Sequence, residues 1–202
     1  MAKKTPIEFW FDFSSPYGYI AATQIDNIAE DHGRTVLWRP FLLGAVMKES
    51  GGAPLASSAM KFSYMKTDVE RFCRLYGITY RQPETFPIGA VAASRAFYWL
   101  EEHAPAKAVD FAAVVYSAYF EQGKNIGEPE VVLDIAARMG IDRAALEQAL
   151  ADPVIKNRLR EVCDEAVSRG IFGSPWLVVD GEHFWGADRL WMVEEWLETG
   201  GW

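Results

Sequence analysis

A serine and a proline, Ser15-Pro16, stand where an aromatic strand pattern gives way to a helical one. Ser is a favoured N-cap, and Pro fits the first helical position because its missing N–H has no partner to lose there. A helix start presents unpaired N–H groups and a partial positive charge, so an anion in front of it is stabilised. A thiolate held there titrates below the free value of about 8.5. A Ser hydroxyl can donate a hydrogen bond that favours the charged form. The same two residues also read as an ordinary helix cap, and the local sequence does not separate the two uses.

Two further segments near the C-terminus have the residue types to hold a ligand. In Phe172-Gly173-Ser174-Pro175, the proline cannot donate to a strand ladder and so belongs at a strand's first residue. A cis Ser174–Pro175 bond would turn the Ser174 backbone outward, where a peptide-like ligand pairs as a short strand. A trans proline opening an edge strand is the plainer alternative. In Trp185-Gly186-Ala187-Asp188-Arg189, Asp188 suits the start of a helix and can accept from an ammonium group. The N–H groups of Ala187 and Asp188 can hold a carboxylate. An ordinary acidic first turn fits this segment equally well.

The remaining reactive residues point elsewhere. Cys73 and Cys163 lie far apart in helical patterns and form no Cys-x-x-Cys pair, so they read as small core hydrophobes of a reducing compartment. His32, His103 and His183 are scattered without ligand spacing, and no metal site is expected.

These segments need a scaffold. Ile7 to Phe13 alternates and is aromatic, which predicts a strand. Tyr19, Ala22, Ile25, Ile28 and Ala29 recur at helical spacing, which predicts one helix from Pro16 to the His32-Gly33 stop. Thr35 to Pro40 is a second strand pattern, and a connection of this length makes the pair parallel. Leu43 to Ala59 is rich in Gly, Ala, Ser and Pro and reads as irregular. Helices are then predicted at 58–76, 88–103, 107–121, 129–139, 142–151 and 153–169, with Asp142 and Asp152 as N-caps. Ser174 to Val179 and Glu182 to Trp185 flank an Asp180-Gly181 hairpin turn, and a last helix starts at Gly186-Ala187-Asp188.

Neither α/β part can bury its own sheet. The expectation is therefore a single sheet built from residues 1–42 and 170–202, with an all-helical insertion at 43–169. That is an α/β, thioredoxin-like fold carrying a large helical insertion.

Phe11-Asp12-Phe13-Ser14-Ser15-Pro16-Tyr17, the Phe-Gly-Ser-Pro loop and Trp185-Gly186-Ala187-Asp188-Arg189-Leu190 resemble the family of 2-hydroxychromene-2-carboxylate isomerases and kappa-class glutathione transferases. The Ser58–Gly77 segment, with Tyr64-Met65-Lys66-Thr67-Asp68, and Ile126-Gly127-Glu128-Pro129 fit it too, so the likeness spans nearly the whole chain. The family's fold is related to DsbA-type disulfide oxidoreductases, with Ser in place of the first Cys of Cys-x-x-Cys. The resemblance implies that glutathione is the cofactor and that Ser15 contacts its sulfur. It implies that Ser174 pairs its backbone with the cysteinyl part, and that Trp185, Gly186, Ala187 and Asp188 hold the γ-glutamyl end. Lys61 takes a family position near the ligand. Lys48 lies in the loop lining the substrate side, and Lys48 and Lys61 are the candidates for the carboxylate of a small aromatic substrate. Tyr17 and Trp10 are candidate apolar walls. Gly18 stands where many relatives have a second Ser, Gly52 where the kappa enzymes have Asn, and Leu55 and Ala56 where the isomerases have polar substrate-holding residues.

The reaction implied is reversible thiolate addition with cis–trans rotation. A conjugating transferase and a non-catalytic binding protein are the competing readings. A dithiol oxidoreductase is disfavoured by the missing cysteine pair.

The rest of the composition narrows the partners. The chain has 202 residues, a formal net charge of −8, and no basic stripe, so nucleic acid is not an expected partner. No apolar run reaches membrane-spanning length, and the first residues carry no signal pattern, so the expected location is the cytoplasm. The family implies a homodimer, to which Trp191, Trp196 and Trp202 could contribute.

Overall fold

β1 (Ile7–Phe11) is an inner strand of a four-stranded sheet ordered β2-β1-β3-β4. β2 spans Val36–Pro40, β3 Trp176–Val179 and β4 Glu182–Trp185. The computed structural model describes residues 5–202. β1 and β2 run parallel, with Phe9 opposite Trp38, as their helical connection requires. β3 is antiparallel to β1 and to β4. The β3–β4 turn is Asp180-Gly181, both at positive φ (53° and 92°), the twist that a two-residue hairpin needs.

The β1–β2 connection is two helices, α1 (Pro16–Ala22) and α2 (Ile25–Asp31), where periodicity predicts one. The break is local chemistry. The Thr23 hydroxyl donates to the Ile20 carbonyl (2.8 Å), and the Gln24 N–H takes the Ala21 carbonyl (3.0 Å), three residues back. A threonine that competes for a backbone carbonyl in this way interrupts the helical ladder.

α3 (Leu43–Ser50) corrects a second expectation, since its Gly, Ala and Ser content reads as irregular. Val46 is buried, Leu43 and Met47 partly so, and this i, i+3, i+4 stripe packs the helix where composition gave no hint of one. Gly51, at φ 72°, ends it. A 3₁₀ turn (Leu55–Ser57) leads to α4 (Ala59–Tyr76), followed by α5 (Val91–His103), α6 (Pro105–Phe120), α7 (Pro129–Arg138), α8 (Arg143–Ala151) and α9 (Pro153–Ser168). Asp142 and Asp152 cap α8 and α9 as expected, accepting from N–H groups of the first turn. After β4, a 3₁₀ turn (Ala187–Arg189) precedes α10 (Leu190–Thr199), so the final α-helix starts later than the sequence suggests.

The sheet's two faces differ. Phe9 and Phe11 stack at 4.9 Å and meet Trp38, Phe97 of α5 and Tyr116 of α6 in one buried cluster that runs from the sheet into the helices. Trp10, on the other face, is fully buried and so is no wall of an open site, correcting that expectation. Its ring lies under the guanidinium groups of Arg39 (4.3 Å) and Arg169 (5.2 Å), and its N–H donates to Glu8 (2.8 Å). Glu8 is bound by Arg169 (2.7 and 3.1 Å), and Glu165 of α9 pairs with both Arg39 and Arg169. This clasp fastens α9 to the sheet.

Among the described residues no helix is long and apolar enough to cross a membrane, and no group of His, Cys, Asp and Glu has the arrangement of a metal site.

Candidate functional site

Ser15 is the N-cap of α1. Its backbone is extended (φ −87°, ψ 116°), its Oγ accepts the Gly18 N–H (3.0 Å), and Pro16 takes the first helical position. The cap reading therefore holds, but it is only half of what the side chain does. The Ser15 hydroxyl also donates to the Ser174 carbonyl at 2.8 Å, across 159 residues of sequence. Both serines are buried. The Ser174–Pro175 bond is cis, and the carbonyl before it is turned toward the head of α1. Since α1 is seven residues long, any stabilisation of an anion at its head comes from the first-turn N–H groups, not from a long dipole.

The third segment joins the other two. The Gly186 N–H donates to the Pro175 carbonyl (3.0 Å). Ala187 is buried against Ile20 of α1 and Met65 and Val69 of α4. Trp185 is 53% exposed and its ring edge meets Phe172 (centroids 4.7 Å). The indole lies against Gly173, where any Cβ would overlap its Nε1, so this loop requires a glycine for close approach. Asp188 is exposed, and its Oδ2 pairs with Arg189. Ser15, Ser174 and the 185–188 segment thus converge around the start of α1.

Tyr17 is half-buried beside them. Its hydroxyl donates to Asp68 of α4 (2.9 Å), and its ring meets Phe72 edge-on. Burial, then the Asp68 hydrogen bond and charge, push its phenol well above the ordinary range, so it stays a neutral donor. Lys61 lies seven residues before Asp68, two turns away on the same side of α4 and about 10 Å along the axis. Lys48 is in the last turn of α3. Both are exposed, and among the described residues neither makes a hydrogen bond or ion pair. The structure does not bring either into contact with Ser15.

Two residues at this site, Asp12 and Tyr116, escaped sequence reasoning, and the crowding at Gly18 did too. Asp12 is buried between two aromatics and bonds to both Ser14 and Leu43. A charged residue inside an aromatic strand run was the available signal. Tyr116 donates to the Asp12 carbonyl (3.1 Å) from α6, which no local pattern announces. Gly18 explains itself sterically: a Cβ there would lie 2.8 Å from the Tyr116 hydroxyl and 3.0 Å from the Ser174 Oγ. Neither end of Ser15-Pro16-Tyr17-Gly18 carries a thiol. Cys73 and Cys163 are buried in α4 and α9, and burial pushes the Cys73 thiol up to about 11 and Cys163 in the same direction. Burial thus favours the protonated form of both thiols.

Residues 6–198 match the model of the DSBA-like thioredoxin domain family. The 2-hydroxychromene-2-carboxylate isomerase of Pseudomonas putida is 30% identical over 93% of this chain and 92% of its own. Glutathione S-transferase kappa 1 of Caenorhabditis elegans is 28% identical over 98% of this chain and 93% of its own. A solved structure of a 2-hydroxychromene-2-carboxylate isomerase superposes with a TM-score of 0.87 at 28% identity, covering 96% of this chain and 95% of that one.

Proposed function

The chain belongs to the DSBA-like thioredoxin family and, within it, to the group of 2-hydroxychromene-2-carboxylate isomerases and kappa-class glutathione transferases; from that premise we propose a glutathione-dependent isomerase of 2-hydroxychromene-2-carboxylate or a related aromatic carboxylate. The observation that carries the reading is the buried hydrogen bond from Ser15 to the Ser174 carbonyl at the head of α1. It brings a hydroxyl donor and a strand-type backbone acceptor to one point, and thiol recognition needs both.

The residues present fit glutathione by their chemistry. The Ser174 backbone suits the peptide at the cysteinyl residue. Ala187 and Asp188 suit the γ-glutamyl end, the first with a backbone N–H for the carboxylate and the second with its own carboxylate for the ammonium. An incoming ammonium competes there only with the solvent-exposed Arg189 pair, and exposed pairs of this kind contribute about 0–1 kcal/mol. When bound, glutathione supplies a thiolate that adds reversibly to a conjugated double bond, which then rotates as a single bond.

The protein's part is to hold and polarise. Ser15, by rotating its hydroxyl from Ser174 to the sulfur, donates to the charged form and keeps the thiol ionised. Gly18 N–H, which binds the Ser15 oxygen, keeps that donor aimed. Lys48 and Lys61, with no hydrogen bond or ion pair among the described residues, attract the substrate carboxylate against the net negative charge of the chain. Tyr17 provides aromatic surface for the substrate, and Trp185 covers the γ-glutamyl end.

The test is the absorbance of 2-hydroxychromene-2-carboxylate mixed with the protein, with and without glutathione. Conversion to the trans isomer only with glutathione is the expected result; conversion without it, or none at all, overturns the isomerase reading. The kappa-class relative, at 28% identity over 98% of the chain, favours a transferase as the second reading. There glutathione is consumed in proportion to product, while an isomerase returns it.

We place this enzyme in the cytoplasm, where two free buried cysteines stay reduced. We assign it a homodimeric state in which Trp191 and Trp202, 62% and 68% exposed, are covered. Light scattering of the wild type and of Trp191→Lys decides this: a dimer that becomes a monomer is expected, and a wild-type monomer refutes it.

A further inference from the structure

A buried carboxylate that the proposed chemistry does not use lies three residues before Ser15. Asp12 is 4% exposed. Its carboxylate accepts the Ser14 N–H and the Ser14 hydroxyl, both at 2.7 Å, on one oxygen. The other oxygen accepts the Leu43 N–H, also at 2.7 Å. Leu43 is the first residue of α3, and Leu42 before it offers no side-chain cap. The main chain of Asp12 is equally committed. Its N–H donates to the Ser174 Oγ (2.9 Å), and its carbonyl accepts from the Ser15 N–H (2.9 Å) and the Tyr116 hydroxyl (3.1 Å). One residue therefore bonds to the Ser15 loop, the Ser174 loop, α3 and α6.

Among the described residues no cation is paired with Asp12. The titratable groups that sense Asp12 are Tyr116 and Tyr119 of α6 and Cys163 of α9, all neutral in their ordinary range. Burial pushes the Asp12 carboxyl up, and the bonds from Ser14 and Leu43 pull it part of the way back. A buried acid without a counter-ion is costly. What it offers in return is two acceptor oxygens and no donor. Asn cannot replace it: whichever way its amide is turned, the nitrogen faces a backbone N–H, either that of Ser14 or that of Leu43.

We propose that Asp12 is a positioning residue: it fixes the start of α3, the helix that carries Lys48, against the loop that carries Ser15. This rests on the functional reading above, with Ser15 at the thiol and Lys48 at the substrate carboxylate.

The test compares Asp12→Asn and Leu43→Pro with the wild type. Pro at the first helical position is tolerated and removes the N–H that Asp12 accepts, so the second variant breaks the bond from its other side. Three readouts are taken: KM and kcat for 2-hydroxychromene-2-carboxylate, glutathione affinity by calorimetry, and hydrogen exchange at the Val46 amide of α3. In both variants KM is expected to rise about tenfold, as for a binding group displaced by about an ångström, with kcat and glutathione affinity changed far less. Exchange at Val46 is expected to quicken. The double variant should be milder than the sum of the single ones, because Leu43→Pro removes an N–H that the Asn nitrogen would otherwise face, leaving the amide free to turn its oxygen to Ser14. An unchanged KM in a folded variant, a loss confined to kcat and glutathione affinity, or additive effects overturns the proposal. If Asp12→Asn does not fold, Leu43→Pro carries the test. If the wild type binds no glutathione, the functional reading fails on its own. Exchange at Val46 then still decides whether Asp12 holds α3: faster exchange supports it and unchanged exchange refutes it.

Discussion

Ser15 and Ser174 are buried and bonded to each other, to Gly18 and to Asp12, whereas Lys48 and Lys61 stand exposed on α3 and α4 with no hydrogen bond or ion pair among the described residues. The two ends of the proposed site are thus built differently. At the Ser15 end the two serine hydroxyls and the Ser174 carbonyl are held across 159 and 162 residues of sequence, so their geometry is set by the fold. At the substrate end, long side chains on helix surfaces can follow a ligand, and their positions are set by the ligand as much as by the protein. Leu55, 42% exposed, and Met60, 85% exposed, add apolar surface to the α3–α4 segment without fixing a shape. The lesson is that the fold fixes the Ser15 end of the proposed site more narrowly than the lysine end.

Substitutions can break or sharpen that contrast. The largest effect is expected at Ser15. Ser15→Ala should lower turnover about 10²–10³-fold, as loss of a preorganised donor to a developing anion does. Its stability loss should be roughly 2–4 kcal/mol, the N-cap and the buried bond to the Ser174 carbonyl together. Steady-state kinetics and a denaturation curve on one preparation separate the two. Unchanged turnover removes Ser15 from the mechanism.

Gly18→Ser comes next. Helix propensity favours Ser over Gly, yet the new Cβ would lie 2.8 Å from the Tyr116 hydroxyl. Overpacking of this kind costs about 1–3 kcal/mol. A lower urea midpoint is expected, with much of the loss recovered in the Tyr116→Phe background. A gain in stability would mean that the thiol end is looser than its contacts indicate.

The substrate end should answer in a different currency. Lys48→Ala and Lys61→Ala should each raise KM for the aromatic carboxylate about threefold to tenfold, less at high salt, since exposed charges are screened. Stability should stay within about 0.5 kcal/mol, as for other surface substitutions. A fall in kcat with KM unchanged would move these lysines from binding to chemistry.

The smallest effect concerns the clasp on the sheet's other face, remote from both ends. Burial alone would raise the Glu8 carboxyl, but the Arg169 and Trp10 hydrogen bonds and the charges of Arg169 and Arg39 hold it below the ordinary carboxylate value. A carboxyl lowered in the folded state adds stability above its unfolded value, and that stability is lost as pH falls through the folded value. Glu8→Gln should therefore melt below the wild type at neutral pH, with the gap closing in acid. Catalysis should be unaffected. A gap independent of pH would show that Glu8 acts through packing alone.

Much of this architecture is legible in the sequence. Alternating aromatics in Ile7–Phe11, the Asp180-Gly181 turn and the Asp142 and Asp152 caps each act locally, so a local pattern finds them. The misreadings have a common cause. The Thr23 break depends on one side-chain bond, and α3 depends on burial of Val46 and on a carboxylate from Asp12, 31 positions away. At the site, Ser15, Ser174 and Trp185–Asp188 carry recognisable motifs. Asp12, Tyr116 and the crowding at Gly18 arise only when separate segments meet. Trp10 misled because an aromatic beside a site motif can point into either face of a sheet, and here it is buried under Arg39 and Arg169.

The central claim is that Ser15 keeps a bound thiol ionised. It is tested most directly by titrating the ultraviolet thiolate absorbance of glutathione bound to the wild type and to Ser15→Ala. The account predicts a bound thiol that titrates clearly below its free value of about 8.5 in the wild type and returns toward that value in the variant. The same titration in both proteins, or an unshifted thiol in the wild type, would contradict it.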